Sequence, residues 1–166
     1  MADAPKTDII RPTDDEARAL AKRLVAEARF GALAIRDPET GFPHVTRVAV
    51  GMDPDGAPLL LISTLAHHTR ALLQDPACAL LLGEPGDKGD PLIHPRLSLQ
   101  ARAEEIDKAP MRAAWLSSHP KTTLYFDFPD FRMFRLGITL AHLNGGFGRA
   151  FHLSAADFYI SPASTH

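Results

Sequence analysis

The sequence predicts a mainly β domain of the α+β class, built as a small six-stranded antiparallel barrel with flanking helices. Three observations predict it: short apolar runs separated by turn signals, one long run that alternates apolar and polar residues, and 11 Gly and 14 Pro among 166 residues. A helical bundle has fewer of these breakers, and closing the sheet into a barrel removes its exposed edges. An open α+β sandwich is the alternative arrangement.

Length and charge restrict the function classes. A chain of 166 residues is long enough for one domain with its own core. The formal net charge of −2 argues against a nucleic-acid partner, and the single cysteine cannot form an internal disulfide. No apolar stretch reaches the roughly 18 residues of a membrane helix, and the N-terminus lacks a signal-peptide pattern. We therefore expect a cytoplasmic protein that does not bind membranes.

The N-terminal region predicts an arm followed by a helix. Residues 1–12 show no periodicity and are expected to form a flexible arm, with a single domain over residues 13–166. Thr13 and Glu16 have the spacing of a capping box, in which each side chain caps the backbone of the other residue. Apolar residues then recur at helical spacing, which predicts an amphipathic helix over residues 14–29.

Strands dominate the rest of the chain. Three apolar runs, at residues 30–36, 45–52 and 59–63, are separated by turns at 37–41 and 53–56 and predict an antiparallel meander. The later predicted elements are a helix over 67–74, a strand over 77–83, an alternating strand over 96–106, a helix over 107–118, one or two strands over 132–143 and a glycine-rich turn over 144–148.

One corner of the predicted barrel carries the chemistry of a phosphate site. Arg47 lies within an apolar strand, where it either points outward or meets a ligand. Ser63 and Thr64 end the next strand, and His68 and Thr69 lie at the start of the following helix. Hydroxyls, strand-end amides and cations near a helix N-terminus supply the donors and the positive field that a phosphate monoester requires.

These segments resemble the pyridoxamine 5′-phosphate oxidase-like split barrels that bind FMN. The resemblance rests on Arg47-Val48-Ala49-Val50, on the strand end Ile62-Ser63-Thr64 and on the basic helix that runs into Asp75-Pro76, and it extends over about residues 15–155. Further motifs are similar to the haem-utilisation (HugZ-like) branch: His68-Thr69-Arg70, the aromatic run from Tyr125 to Phe131, and Gly145-Gly146-Phe147-Gly148-Arg149-Ala150.

The resemblance implies a six-stranded split barrel that pairs as a homodimer, with FMN in a groove between subunits and a small-molecule substrate. The residues that it implies in cofactor binding are Arg47, Val48, Ala49, Val50, Ser63, Thr64, His68, Thr69 and Arg149. His68 stands where the oxidases have a phosphate-gripping Lys, and a histidine binds phosphate in a pH-dependent way. The substrate-gripping C-terminal motif of the oxidases has no match, so pyridoxamine phosphate oxidation is not expected. No catalytic residue is assigned.

The eight histidines do not predict a metal site. His67 and His68 are adjacent and cannot share one helix face, and the sequence has neither a Cys pair nor an H-E-x-x-H motif. Haem needs a single axial ligand, so His142, His152 or His166 could each ligate iron.

Three other features have both a structural and a functional interpretation. The glycines of residues 145–148 fit a bulged hairpin, or they present Arg149 to a cofactor. The aromatic run of residues 125–134 fits a core or a dimer interface, or else a wall over the flavin. Cys78 lies in an apolar strand and is expected to be inert, and no G-x-S-x-G elbow places a nucleophilic serine.

Three functions follow as hypotheses. The first is a homodimeric FMN-dependent oxidoreductase, in which the flavin performs the redox chemistry and the protein fixes its phosphate and shields the ring. The second keeps the fold but assigns haem binding or haem degradation. The third is a binding or regulatory module that has lost its cofactor.

Overall fold

The structure, a computed structural model, describes residues 9–159, and these form one eight-stranded sheet with three α-helices. The strands are β1 (Ile10–Arg11), β2 (Phe30–Arg36), β3 (Pro43–Met52), β4 (Pro58–Ser63), β5 (Ala77–Leu82), β6 (Arg96–Ile106), β7 (Phe131–Asn144) and β8 (Ala150–Ser154). The α-helices are α1 (Asp15–Glu27), α2 (His67–Gln74) and α3 (Arg112–Ser118).

Six of the strands close into an antiparallel barrel. Their order is β7, β4, β3, β2, β5 and β6, and β6 pairs again with β7 to close the ring. This confirms the predicted mainly β fold and decides for a closed barrel over an open sandwich. The predicted meander is present as β2, β3 and β4. Outside the ring, β8 pairs with the second half of β7 and β1 pairs with β8, so Ile10–Arg11 of the predicted arm lies on the sheet.

Side chains that alternate inward along each strand form the core of the barrel. The fully buried ones are large and aliphatic, and their removal from water stabilises the fold by about 25 cal/mol per Å² of apolar surface. They include Leu33, Val50, Leu60, Leu80, Leu82, Leu97, Leu99, Leu136 and Leu153.

The helices α1 and α2 lie at opposite ends of the barrel. β2 begins shortly after α1 and β5 begins shortly after α2, and these two strands are antiparallel neighbours, so their first residues lie at opposite ends. The residues that the helices bury are Ala17, Ala21 and Val25 from α1, and Thr69, Ala71 and Leu72 from α2. No helix among residues 9–159 is both long and apolar enough to cross a bilayer.

Helix α1 is capped by Asp14, and the predicted capping box of Thr13 and Glu16 is wrong. The Asp14 carboxylate accepts the N–H of Ala17 at 2.8 Å. The Thr13 hydroxyl instead donates to the carbonyl of His152 on β8, and Glu16 forms an ion pair with Arg149. Thr13 and Glu16, which the local pattern assigns to the cap, thus bond instead to residues far away in the sequence. The helix predicted over 107–118 is divided into a 3-10 turn, Ala109–Met111, and α3.

The outer face of β4 is covered by the chain itself. Helix α3 and the segment that leads to β7 pack over it, and the buried residues Leu59, Leu61, Trp115, Phe126 and Met133 form a second apolar cluster, here called the covered face. Gly51 permits this contact because a Cβ at that position would lie 2.8 Å from the Trp115 ring.

The outer face of β2, β3 and β5 carries a strip of small apolar side chains, here called the alanine face: Ala32, Ala34, Val45, Ala79 and Leu81. The strip is contiguous, because Ala34 pairs with both Val45 and Ala79, and Ala32 pairs with Leu81. Val45 is 62% exposed and Leu81 is 45% exposed.

Candidate functional site

The end of β4, predicted to bind phosphate, is bonded to Asp130 of the aromatic segment. The Ser63 hydroxyl donates to Asp130 Oδ2 at 2.7 Å, and the Thr64 N–H donates to the Asp130 carbonyl at 2.8 Å. The Leu65 N–H in turn donates to the Ser63 hydroxyl. The Asp130 carboxylate therefore already accepts the Ser63 hydroxyl, its backbone carbonyl accepts the Thr64 N–H, and the charge of the carboxylate repels a phosphate. An anion can bind here after Asp130 has released Ser63.

Three histidines gather at the N-terminal end of α2. His67 Nε2 lies 3.5 Å from Asp37 Oδ2 in the β2–β3 turn, and the rings of His44 and His67 are 5.4 Å apart, edge to face. Burial lowers the pKa of His68, and the neighbouring charges of His44 and His67 lower it further. His68 thus favours its neutral form, in contrast to the permanent charge of a Lys at this position.

Thr69, the next predicted cofactor residue, lies inside the fold. Its relative exposure is 0%, and its hydroxyl has no hydrogen-bond partner within residues 9–159. The helix thus places Thr69 on the side that packs into the barrel, whereas His67 and His68 remain partly exposed.

Arg47 points outward from β3 and is exposed. Its guanidinium carbon lies 5.5 Å from the centre of the Phe30 ring, a cation–π arrangement. It borders a cavity of about 390 Å³ that also takes in Leu81, Gly83 and Glu84. The residues of the β4–α2 corner are not among those that line this cavity. The structure therefore presents Arg47 to the alanine face, separately from the corner.

The residues that follow Arg47 are divided between the two sides of the barrel wall. The side chains of Val48 and Val50 are buried in the core, and that of Ala49 packs against the covered face. The Val50 N–H already donates to the carbonyl of Arg29 at 2.9 Å. Their contribution is thus to hold β3 in register, which fixes the direction of Arg47.

Arg149 lies at the opposite end of the barrel from the β4–α2 corner. It pairs with Glu16 of α1 at 3.0 Å, and its carbonyl accepts the N–H of Gly145 in the β7–β8 turn. Gly146 and Gly148 have φ values of 121° and 71°, which favour glycine. The glycine-rich motif is therefore a tight turn between strands, and the structure does not bring Arg149 together with Ser63, Thr64, His68 or Thr69 of the same chain.

Sequence reasoning missed Lys108, which fixes the aromatic segment. Its ammonium donates to the carbonyls of Phe126, Phe128 and Phe131 at 2.6–2.7 Å. A charged group that satisfies three backbone acceptors holds the segment as one unit. Together with Asp130, it joins the covered face to the end of β4. Asp130 stands out in the sequence as an acid within an aromatic run. Its bond to Ser63 could not be predicted, because Ser63 lies far away in the sequence.

A second cavity lies at the other end of the alanine face. It measures about 520 Å³, and its lining includes Arg36, Arg102, Ala34 and Ala79. The histidine cluster does not share this face, because His44 pairs in register with the core-facing Ile35. The alanine face is therefore an apolar strip with arginines along it. Burial raises the pKa of the nearby Cys78 thiol to about 12, so this thiol is protonated and supports the expectation of an inert residue.

Comparison with known proteins identifies relatives that are connected with haem. Over 121 residues the chain is 35% identical to the chloroplastic heme oxygenase HOZ of Arabidopsis thaliana, which covers 71% of this chain. This chain spans 36% of the length of HOZ. The structure of a heme binding protein from Mycobacterium smegmatis is 30% identical, with a TM-score of 0.79, and covers 90% of this chain and 61% of that one.

A protein of unknown function from Agrobacterium tumefaciens is 32% identical, with a TM-score of 0.78, and the match covers 95% of this chain and 66% of that one. The family model described as pyridoxamine 5′-phosphate oxidase matches residues 15–142. That range contains five strands of the barrel and β7 up to His142, the histidine cluster and most of the residues that sequence reasoning assigned to a cofactor. The chain therefore belongs to the pyridoxamine 5′-phosphate oxidase family.

Proposed function

We propose that this protein binds haem on the alanine face, at the interface of a homodimer. The observation that carries the proposal is an apolar strip of sheet, bordered by arginines, that residues 9–159 leave exposed. A porphyrin is flat and apolar and carries two carboxylates, so it requires an apolar wall and cationic partners at its edge.

The donor set fits this ligand. Arg36 and Arg102 border the larger cavity and Arg47 borders the smaller one, so cations are available for propionates at either end. Among residues 9–159 no histidine lines either cavity: His44 pairs in register with the core-facing Ile35, so it projects from the opposite side of β3 to Val45. The fit therefore rests on the arginines and on the apolar strip. Haem supplies redox and oxygen chemistry when bound. The residues of this chain bind its edge, exclude water from its faces and set the polarity of the pocket.

A second copy of the chain is the proposed cover of the alanine face. Alanine side chains allow two sheets to approach closely, and exposed Val45 and Leu81 gain from burial at the contact. The resemblance to the split-barrel family implies the same pairing. In such a dimer each cavity becomes enclosed, and the partner supplies its second wall.

HOZ and the Mycobacterium smegmatis protein support this assignment, since both are named for heme and are 35% and 30% identical to this chain. Because the chain spans 36% of HOZ and 61% of the Mycobacterium smegmatis protein, haem degradation by this chain is a separate proposal that binding alone does not establish.

FMN is the second candidate, in a flavin-dependent oxidoreductase acting on a small molecule. The observation that favours it is the family match over residues 15–142, which includes Arg47, Ser63 and His68. The contact of Ser63 with Asp130 and the lowered pKa of His68 weaken the phosphate site in this chain.

Spectroscopic titration distinguishes these candidates. Purified protein is titrated separately with haemin and with FMN while the absorption spectrum and the flavin fluorescence are recorded. We expect a shift of the haem Soret band, with haemin bound more weakly by Arg36→Ala or Arg102→Ala and equally well by Lys121→Ala, which removes an exposed cation away from the cavities. Quenched flavin fluorescence without a Soret shift would establish FMN instead. If neither ligand binds, the cofactor-free module is the surviving hypothesis.

A further inference from the structure

His142 on β7 and His152 on β8 face each other, and neither lines the two cavities of the proposed haem site. They are direct partners in the antiparallel register of β7 and β8. Their ring centres are 4.4 Å apart and their planes are at 85°. His152 is exposed and His142 is partly exposed. From the sequence, each of them is a candidate haem ligand on its own, whereas the fold brings their rings into contact.

We propose that His142 and His152 chelate a borderline divalent transition-metal ion such as Cu²⁺, Ni²⁺ or Zn²⁺. Directly opposed residues of an antiparallel pair have Cβ atoms about 4.5–5.5 Å apart, and imidazole nitrogens bind such ions at about 2.0–2.1 Å. Rings already in contact need to rotate, without backbone movement, to direct two nitrogens at one ion. Imidazole is a preferred ligand for these metals, and Cu²⁺ binds it most strongly.

The geometry distinguishes a metal ion from haem. Two axial ligands of a haem approach the iron from opposite faces of the porphyrin, whereas His142 and His152 project from the same side of one sheet. They therefore occupy neighbouring positions on an ion. Among residues 9–159 no third His, Cys, Asp or Glu completes a metal cluster. Water or an added ligand fills the remaining positions, so the bound ion exchanges readily.

The strands around His142 and His152 are held by hydrogen bonds, and the neighbouring residues of β7 and β8 are uncharged. β7 is held by β6 on its other side, where Ser98 pairs with His142, and the Thr13 hydroxyl donates to the His152 carbonyl. The adjacent rungs of the β7–β8 ladder are uncharged: Leu140 with Ser154, and Asn144 with Ala150. Arg96 pairs with Asn144 from β6, and its Nη1 is engaged by the carbonyl of Leu92.

Calorimetric titration of the full chain with CuCl₂ and with ZnCl₂ tests the pair. The Cu²⁺ complex is also examined by electron paramagnetic resonance, which counts coordinated nitrogens. We expect one site per chain with two imidazole nitrogens, and Cu²⁺ bound more tightly than Zn²⁺. His142→Ala and His152→Ala should each weaken binding about a hundredfold, because the second ligand of a chelate binds intramolecularly. His94→Ala should have no effect.

The pH dependence provides a second readout. Imidazole binds metal in its neutral form and protons compete with the ion, so the affinity should fall as the pH is lowered. Thermal unfolding without metal shows whether each variant is folded; if a single alanine variant fails, His152→Gln replaces it. The proposal is overturned if the His142→Ala/His152→Ala double variant, folded, binds Cu²⁺ with the affinity and nitrogen count of the original chain.

Discussion

On the covered face, Leu59 and Leu61 of β4 lie buried beneath Trp115, whereas on the alanine face Val45 and Leu81 remain 62% and 45% exposed. Both surfaces are outer faces of the same barrel, and the strands beneath them bury similar aliphatic side chains inward. The difference lies in β4, which is apolar at five successive positions, as expected of a strand buried on both sides. On β2 the outward side chains Ala32 and Ala34 are small, and in the proposed dimer a second copy of the chain covers them.

The largest expected effect is on the covered face. Trp115→Ala removes a ring that is 97% shielded, packs on Gly51 and stacks on His119, and it leaves a cavity over β4. We expect the free energy of unfolding to fall by about 3–5 kcal/mol. Denaturant unfolding of Trp115→Ala measures this, with Leu124→Ala as a control, since Leu124 is 80% exposed in the same covering segment. If Trp115→Ala lowered the free energy of unfolding no more than Leu124→Ala does, packing of Trp115 over β4 would contribute little to stability.

An intermediate effect is expected where the cover is anchored. Lys108→Met keeps the apolar stem but leaves the carbonyls of Phe126, Phe128 and Phe131 without their charged donor. The expected loss is about 1–3 kcal/mol of unfolding free energy, accompanied by faster amide exchange in residues 125–131. Exposed Lys121 lies in the same covering segment, and Lys121→Met should leave both quantities unchanged. An unaltered exchange pattern in Lys108→Met would contradict the anchoring role.

The smallest effect on folding, and the clearest effect on assembly, is expected on the alanine face. Val45→Glu places a charge on an exposed strand position, so unfolding free energy should change by about 1 kcal/mol or less. Association should be lost, because a buried unpaired carboxylate opposes a second copy. Sedimentation measures the mass of Val45→Glu beside the exposed-site control Leu124→Glu. A dimeric Val45→Glu would remove the alanine face from the interface.

The candidate site was predictable in its parts and unpredictable in its arrangement. The sequence correctly placed Ser63 at the end of β4 and His68 at the start of α2, because both positions follow from local strand and helix limits. It did not indicate that Asp130 bonds Ser63, since this contact requires the aromatic segment to fold back on the barrel. It grouped Arg149 with these residues, and the structure places Arg149 beside Glu16 at the other end.

By itself the sequence determined the positions of the six barrel strands and the turns between them, with a closed barrel or an open sandwich as their arrangement. Alternation of apolar residues and the Asp-Pro and Gly turn signals act over a few residues, so they can be read locally. The tertiary structure alone decided the pairing of His142 with His152, the exchange of Thr13 for Asp14 as helix cap, and which outer face is covered. The register of β7 against β8 sets the histidine pair, whereas the cap and the covered face depend on contacts between residues far apart in the sequence, such as Thr13 with His152.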